Sequence, residues 1–424
     1  MPLIKQHKRM VEELAHYSTK WDSLFKSTHF DRIVSKQLQN PQNNITLDQS
    51  VSTGMIKSYM IAHVKNVDSQ RNVVKFLTDE EKWLKITGFE KEIPVQSTFS
   101  RHWNNDQYVD ALDSIFTNLQ ELIGHKKIHL QYELPRHICN FLAKGWLPLS
   151  ADATFTSLPN NKFDYATYGY SGAEGKTAMG AKVNMIIDTI LNMPMNYIPT
   201  SGNVHEARSV DPLIDDLIEN SHPWLKKLGK GTLKPLIAID KGYWNKERFF
   251  DWTRNQIGFI IPRKRKSFTG NLLEFLEFPV SKYEPMEALV WGSNTDEPLR
   301  WIIYKNYSKE FRYWDLITNV FDVTKQTIIE GIKERWPIEE FFKSTKQNFD
   351  LGKPLAQSWT GYVIHCFIIF ILFMLIQFFL SLLAVPKWQD NVNELCRQLK
   401  DSPFACWSFH RLRIPLGYLN GVEE

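Results

Sequence analysis

The sequence predicts an α/β protein: a mixed core, interrupted by a β-rich segment and preceded by a mostly helical region. Three observations carry this. Residues 1–143 read as helical stretches with polar breaks, as at Asn40-Pro41-Gln42-Asn43-Asn44. Two short apolar runs, 146–154 and 236–240, contain or end in the acids Asp152 and Asp240 and have the look of buried strands. Between 256 and 322 five β-like runs (259–261, 273–280, 288–291, 300–304, 311–317) are separated by turn signals such as Gly292-Ser293-Asn294-Thr295, and the helical period returns from Thr324. A length of 424 residues suits two or three domains with a sizeable core, and 43% hydrophobic with 23% charged residues reads as globular.

In chain order, Thr78 with Glu81 three residues on is an N-cap signature for a helix running to Gly88. A second short helix is expected over 97–103. The pair forms either a helix-turn-helix or, the commoner case, an ordinary helical hairpin. Residues 182–188 and 196–199 flank Leu191-Asn192-Met193-Pro194 and predict a hairpin. Asp211-Pro212 reads as N-cap and first turn of a helix whose apolar side is Leu213, Ile214, Leu217 and Ile218. Pro337 lacks a backbone donor, so it kinks a helix or begins a new one just before Glu339. Residues 363–385 are interrupted only by His365, Cys366, Gln377 and Ser381 and are long enough to span a bilayer. Because this stretch stands alone and follows directly on the Glu339 segment, a helix buried on all sides is expected, with no membrane partner. The expected organisation is 1–143 helical with a possible role in DNA binding, 144–255 first part of the core, 256–322 β-rich insertion, 323–385 second part of the core, and 386–424 a helical tail.

The formal net charge of +4 hides an uneven distribution. Residues 221–270 hold twelve Lys/Arg and three acids, so this window is +9 and the remainder −5. Such a field favours a polyanionic partner; the alternative is a solubilising surface. Lys241, Arg263, Lys264, Arg265 and Lys266 are its candidate contacts. Four scattered cysteines without a C-x-x-C pair argue against a zinc knuckle or a disulfide framework and fit a reducing cytoplasm. The segment Met1-Pro2-Leu3-Ile4-Lys5 shows no apolar signal core, so secretion is not expected. Gly175-Lys176-Thr177 ends like a phosphate-binding loop, but Tyr170 stands where its first glycine is required, so no nucleotide cofactor is expected.

The chemistry gathers around Arg335 to Lys346. On a helix Glu339, Lys343 and Lys346 share one face, while Ile338, Phe341 and Phe342 turn largely to a core. An acid beside two cations suits a metal site that handles a phosphodiester; the plain alternative is an exposed Glu–Lys pair. If the strands carrying Asp152 and Asp240 are neighbours, their carboxylates emerge at one sheet edge, and a helix packed across it brings in Glu339. Three carboxylates can hold two hard cations about 3.5–4 Å apart, with Mg²⁺ expected for an all-oxygen set. A lone Asp at a strand end is more often a turn or cap residue. Asp188 and Glu206 compete for the role, and Asp215 and Asp216 read as a solvated helix face. Spacing alone does not choose among them.

Together these residues resemble DDE transposases of the insertion-sequence-4 group, which share a ribonuclease-H-like catalytic core. The resemblance covers roughly 144–385 and more faintly 75–105. The group's pattern around its last acid is Tyr, two residues, Arg, three residues, Glu, six residues, Lys. Arg335, Glu339 and Lys346 fit, while Ile332 stands at the Tyr position. Asp152, Asp240 and the Gly202-Asn203-Val204-His205-Glu206 loop are similar to the group's as well. The resemblance implies a ribonuclease-H-like mixed sheet flanked by helices, with a β-rich insertion before the last catalytic helix. It implies cutting of transposon ends and joining to target DNA by transesterification with two Mg²⁺ or Mn²⁺ ions, on a homodimer assembled on DNA. It makes Asp152, Asp240 and Glu339 the metal-binding triad and Arg335 and Lys346 phosphate contacts. In this group the tyrosine helps hold DNA near the cleaved end, a hydroxyl Ile332 cannot supply. Trp314 or Trp336 offers an alternative stacking surface, although a core role is expected for both.

Overall fold

The computed structural model describes residues 19–39, 48–90, 92–126, 134–158, 163–171, 175–219, 233–263, 285–290, 298–306, 312–382 and 391–401. The N-terminal region is helical: α1 (Lys20–Ser27), α2 (Phe30–Leu38), α3 (Gln49–Val64), α4 (Gln70–Thr78), α5 (Glu81–Thr87), α6 (Gln96–Trp103), α7 (Gln107–Lys126) and α8 (Arg136–Ala143). Gly88 ends α5 at φ 84, the left-handed conformation that glycine adopts without strain. The expected cap at Thr78 is corrected. Thr78 closes α4, its hydroxyl bonded to the Val74 carbonyl, and α5 starts at Glu81 without a side-chain cap. A local hydroxyl–carbonyl bond outcompeted the capping box.

The core follows as β1 (Trp146–Ser157), β2 (Thr167–Ser171), β3 (Lys176–Asp188), β4 (Met193–Ser201), α9 (Val210–Glu219), β5 (Lys234–Ile239), α10 (Lys246–Arg254), β6 (Gly258–Pro262), β7 (Met286–Val290), β8 (Leu299–Asn306) and β9 (Arg312–Thr318). Then come α11 (Lys325–Gly331), a 3₁₀ turn (Ile332–Arg335), α12 (Trp336–Asn348), α13 (Trp359–Leu382) and α14 (Val392–Asp401). One mixed sheet runs β2-β3-β1-β5-β6-β9-β8-β7, with β4 also on β3. β1, β5 and β6 are parallel; every other pairing is antiparallel. The ribonuclease-H-like expectation of a mixed sheet flanked by helices and preceded by a helical region is what the chain forms. The expected 182–188/196–199 hairpin is β3–β4. The β-rich residues do not stand apart: β6 pairs parallel with β5, and β9, β8 and β7 extend the same sheet. The strand expected over 273–280 lies outside the described residues.

Strand alternation gives the sheet two faces. On one, Trp146, Leu236 and Ile260 pack with Phe141 of α8, Ile328 and Ile329 of α11, and Ile332. On the other, Phe259 stacks on Phe249 of α10 at 4.6 Å. Asp211 is not a cap: it sits inside the first turn of α9 and accepts hydrogen bonds from Arg248 and Trp252. Pro337 falls in the first turn of α12, where its missing donor costs nothing, and the 3₁₀ turn before it breaks the helix. α13 is buried along nearly all of its length. It packs its aromatic side chains on Phe341 and Tyr197, and its Gln377 donates to the carbonyls of Leu191 and Asn192 in the β3–β4 turn. Together with Phe141 of α8 and Gln120 of α7, which donates to the Pro194 and Met195 carbonyls of β4, this helix joins the N-terminal helices to the sheet.

Candidate active site

The parallel register pairs Ser150 with Ala238 and Ala151 with Ile239. Asp152 and Asp240 are therefore side by side on one face. Asp240 directly follows the last residue of β5, whereas Asp152, expected at a strand end, lies in the middle of β1, which continues to Ser157 because its far half pairs with β3. Each carboxylate accepts a backbone N–H from the next residue, Ala153 at 2.8 Å and Lys241 at 2.7 Å, which fixes its direction. Burial, then the carboxylates of Glu206 and Asp240, push Asp152 up to about 7; the Ala153 N–H and the Arg335 guanidinium pull the other way. Glu206 therefore joins the two aspartates. Its Oε1 lies over Gly242, 3.5 Å from where a Cβ would stand. Tyr243, buried beside these acids, has its hydroxyl held protonated by that burial and by Asp152, Glu206 and Asp240.

Arg248 builds the floor. Its guanidinium donates to Asp211 Oδ1 at 2.7 Å, to the Tyr243 carbonyl at 2.8 Å and to the Ala207 carbonyl. It thereby ties the turn carrying Glu206 to the turn that follows Asp240. The sequence placed this arginine only within a basic window. An arginine four to eight residues after a strand-end acid carries no signal that its partners are carbonyls.

The helix side arrives through α12. Ser150 Oγ donates to the Arg335 carbonyl at 3.3 Å, which docks the start of α12 over the face that bears Asp152. Arg335 sits near enough to Asp152 to influence it, and its guanidinium is bonded to Glu339. The expected one-sided face is thus rearranged: Glu339 turns back one turn to Arg335 rather than forward to Lys343. Lys343 is exposed. Lys346 is half-buried and donates to the Phe155 carbonyl at 2.7 Å, and burial lowers its pKa. The remaining competitors separate cleanly. Asp188 is buried and caps the β3–β4 turn through the N–H groups of Ile190 and Leu191. Asp215 is exposed, whereas Asp216 is half-buried and bonded to Asn196, not wholly a solvated face.

Several expected contacts are corrected. Arg263 does not offer a surface cation: it pairs with Asp315, lies over the Trp301 ring at 5.0 Å, and its side chain is 5% exposed. Lys264, Arg265 and Lys266 lie outside the described residues; Lys241 is exposed beside Asp240. Trp314 and Trp336 are not core residues; they are 39% and 55% exposed. Ile332 is 8% exposed and packed among Phe141, Ile328 and Ile329, so a side chain at this position faces the core.

A divalent ion suits the donors present. Asp152, Asp240, Glu206 and Glu339 are all oxygen ligands, and the crowding that raises Asp152 is what a hard cation would offset. As the side chains are placed, no three ligand-type residues among the described ones stand together closely enough to hold an ion, and Glu339 is engaged by Arg335.

A family model described as a transposase DDE domain matches residues 148–375, more than half of the chain. Comparison with curated protein sequences gives no match. Among solved structures, the chain is similar to a piggyBac transposase in its synaptic complex with hairpin DNA, at 11% identity and a TM-score of 0.41 over 97% of this chain and 86% of that one. At that score the likeness adds nothing to what the strand order shows.

Proposed function

The chain belongs to the family of transposase DDE domains, and on that premise we propose that it cuts DNA at the ends of a mobile element and joins them to target DNA by transesterification, in the manner of the insertion-sequence-4 group. Enzymes of this family use divalent metals. Asp152, Asp240 and Glu339 would hold Mg²⁺ or Mn²⁺, which when bound supplies an activated attacking oxygen and neutralises the charge that builds at the phosphodiester. The observation that carries the proposal is the pair of aspartates set side by side on the parallel strands β1 and β5, with Asp152 raised to about 7 by burial and neighbouring acids.

The chain's own groups supply positioning. The N–H groups of Ala153 and Lys241 hold the two aspartates in direction. Arg335 neutralises Glu339 in the metal-free protein and stands where a scissile phosphate would come close to Asp152. Lys343 is exposed on the next turn and attracts the DNA backbone. Glu206 either completes the ligand set or orients the attacking hydroxyl; its place beside Asp152 favours it over Asp188 and Asp215.

The test is cleavage of element-end DNA with Mg²⁺. Asp152→Ala, Asp240→Ala and Glu339→Ala each lower the rate by at least about 10³-fold while duplex binding stays within a few-fold. Normal cleavage by any one variant removes that residue from the site. Products with the element's 3′ end joined to target DNA separate a transposase from a nuclease that only cuts.

A further inference from the structure

Tyr168 and Tyr170 on β2 are 67% and 65% exposed, the two highest values for large hydrophobic side chains among the described residues, and the chemistry described so far does not use them. The register places them. Asp152 pairs with Met185 of β3, Tyr168 with Met179 and Tyr170 with Thr177. Paired residues share a face and alternation has a period of two, so both tyrosines lie on the same face as Asp152. They stand six and eight residues farther along β3, roughly 20 and 26 Å away at about 3.3 Å per residue. Lys346, anchored on the Phe155 carbonyl, stands between.

Behind the strand the packing is tight. Gly169, Gly180 and Gly202 surround the Phe155 ring, and a Cβ on any of them would come within 2.8, 2.7 and 2.9 Å of it. At Gly169 a Cβ would also come within 2.1 Å of the Gly202 carbonyl. β2 is thus braced from one side while its two tyrosines are presented on the other. Two residues along a strand set the stems of the two side chains about 6.6 Å apart. Bases stack about 3.4 Å apart, so that gap takes one base with ring contact on each side.

We infer that Tyr168 and Tyr170 form a clamp for an unpaired base of the DNA strand that leads away from the catalytic carboxylates, about six to eight nucleotides along at about 3.4 Å each. The inference rests on the transposase reading. An unpaired base is favoured over duplex DNA because a ring gap of this width receives a separated base face, which a stacked pair does not expose. A phenol on each side gives stacking without reading sequence.

The experiment uses the full chain without divalent metal and two fluorescent probes, a twelve-nucleotide oligothymidine and a blunt twenty-base-pair duplex, read by anisotropy. Tyr168→Ala/Tyr170→Ala weakens oligothymidine binding at least about tenfold, since each lost stack is a substantial part of single-strand affinity. Duplex binding stays within twofold, and Tyr168→Phe/Tyr170→Phe keeps both affinities. Equal losses on both probes, no loss on oligothymidine, or a wild type that binds duplex but not oligothymidine each overturns the clamp. A changed sedimentation coefficient with unchanged oligothymidine binding also overturns it, assigning the edge strand to self-association. A wild type that binds neither probe here and, with Mg²⁺ added, cuts no element-end DNA sinks the transposase reading itself, a separate failure.

Discussion

The acid cluster on β1 and just beyond β5 and the interface around α13 both bury polar groups, with pKa shifts of opposite sign. In the crevice, burial and like charges act together, and Asp152 retains a proton to about 7. Around α13, His365 is pushed down to about 4 by burial and His63 well below its ordinary value, so the two rings, 4.7 Å apart, are neutral at physiological pH. His365 is further held by a hydrogen bond to the Leu351 carbonyl. A neutral pair inside a packed interface needs no outside ligand. A cluster of acids that must hold a proton to stay together is poised for a cation to replace it. Burial alone therefore does not mark a site; burial that accumulates charge of one sign does.

Breaking the α13 side has the largest expected effect on stability. Phe341 is fully buried against Phe370 and Phe373. Phe341→Ala removes that contact and lowers the unfolding free energy by about 3–5 kcal/mol, read by urea denaturation. DNA affinity per folded molecule is unchanged. If stability holds, α13 is not what fastens α12 over the sheet.

The pH dependence sharpens the contrast, because the two regions have opposite signs. His365 binds fewer protons folded than unfolded, so its stabilising contribution is complete above about 6.5 and is lost as pH falls toward 4. Asp152 binds more protons folded than unfolded, so in metal-free protein stability is complete near pH 4 and falls as pH rises to about 7. Each is worth on the order of 3 kcal/mol across its window. The two windows overlap and their slopes oppose each other, so in metal-free urea melts from pH 4.5 to 8 Asp152→Asn leaves a stability that rises with pH up to about 6.5, and His365→Gln leaves one that falls with pH up to about 7. A slope of unchanged sign and size in either variant would remove that residue as the source of its limb.

Much of the fold was legible because its signals are local. Apolar runs marked β1 and β5, a hairpin marked β3–β4, and Pro337 marked the start of α12. The site was legible only in part, because side-chain partners are set by tertiary placement. Arg248 finds Asp211, 37 residues away, and Arg263 finds Asp315, 52 away, so two of the cations in the basic window are structural. Glu339 had two cations within one turn, Arg335 before it and Lys343 after it, and helix spacing permits either. The docking of Arg335 on Ser150 decides for the first. Ile332 could be seen to lack a hydroxyl, but not to face the core, because its neighbours there come from α8 and α11. Trp336 looked like core by composition and is open because it occupies the first turn of α12 on the side away from Ile338.

The smallest effect separates the open cation from the engaged one. Lys343 is exposed on α12, whereas Arg263 is held by Asp315 and Trp301. On the proposed function, Lys343 neutralises one phosphate, and its loss reduces the slope of log affinity against log salt by about one while stability changes by less than about 0.5 kcal/mol. Arg263→Met leaves the slope unaltered, since the guanidinium is already paired inside the protein, and its consequence appears in stability instead. Duplex titrations between 50 and 200 mM salt, roughly the range over which phosphate contacts dominate, read both variants. A slope that falls for Arg263→Met and not for Lys343→Ala would reverse the assignment and place the DNA over the β7–β9 extension rather than over α12.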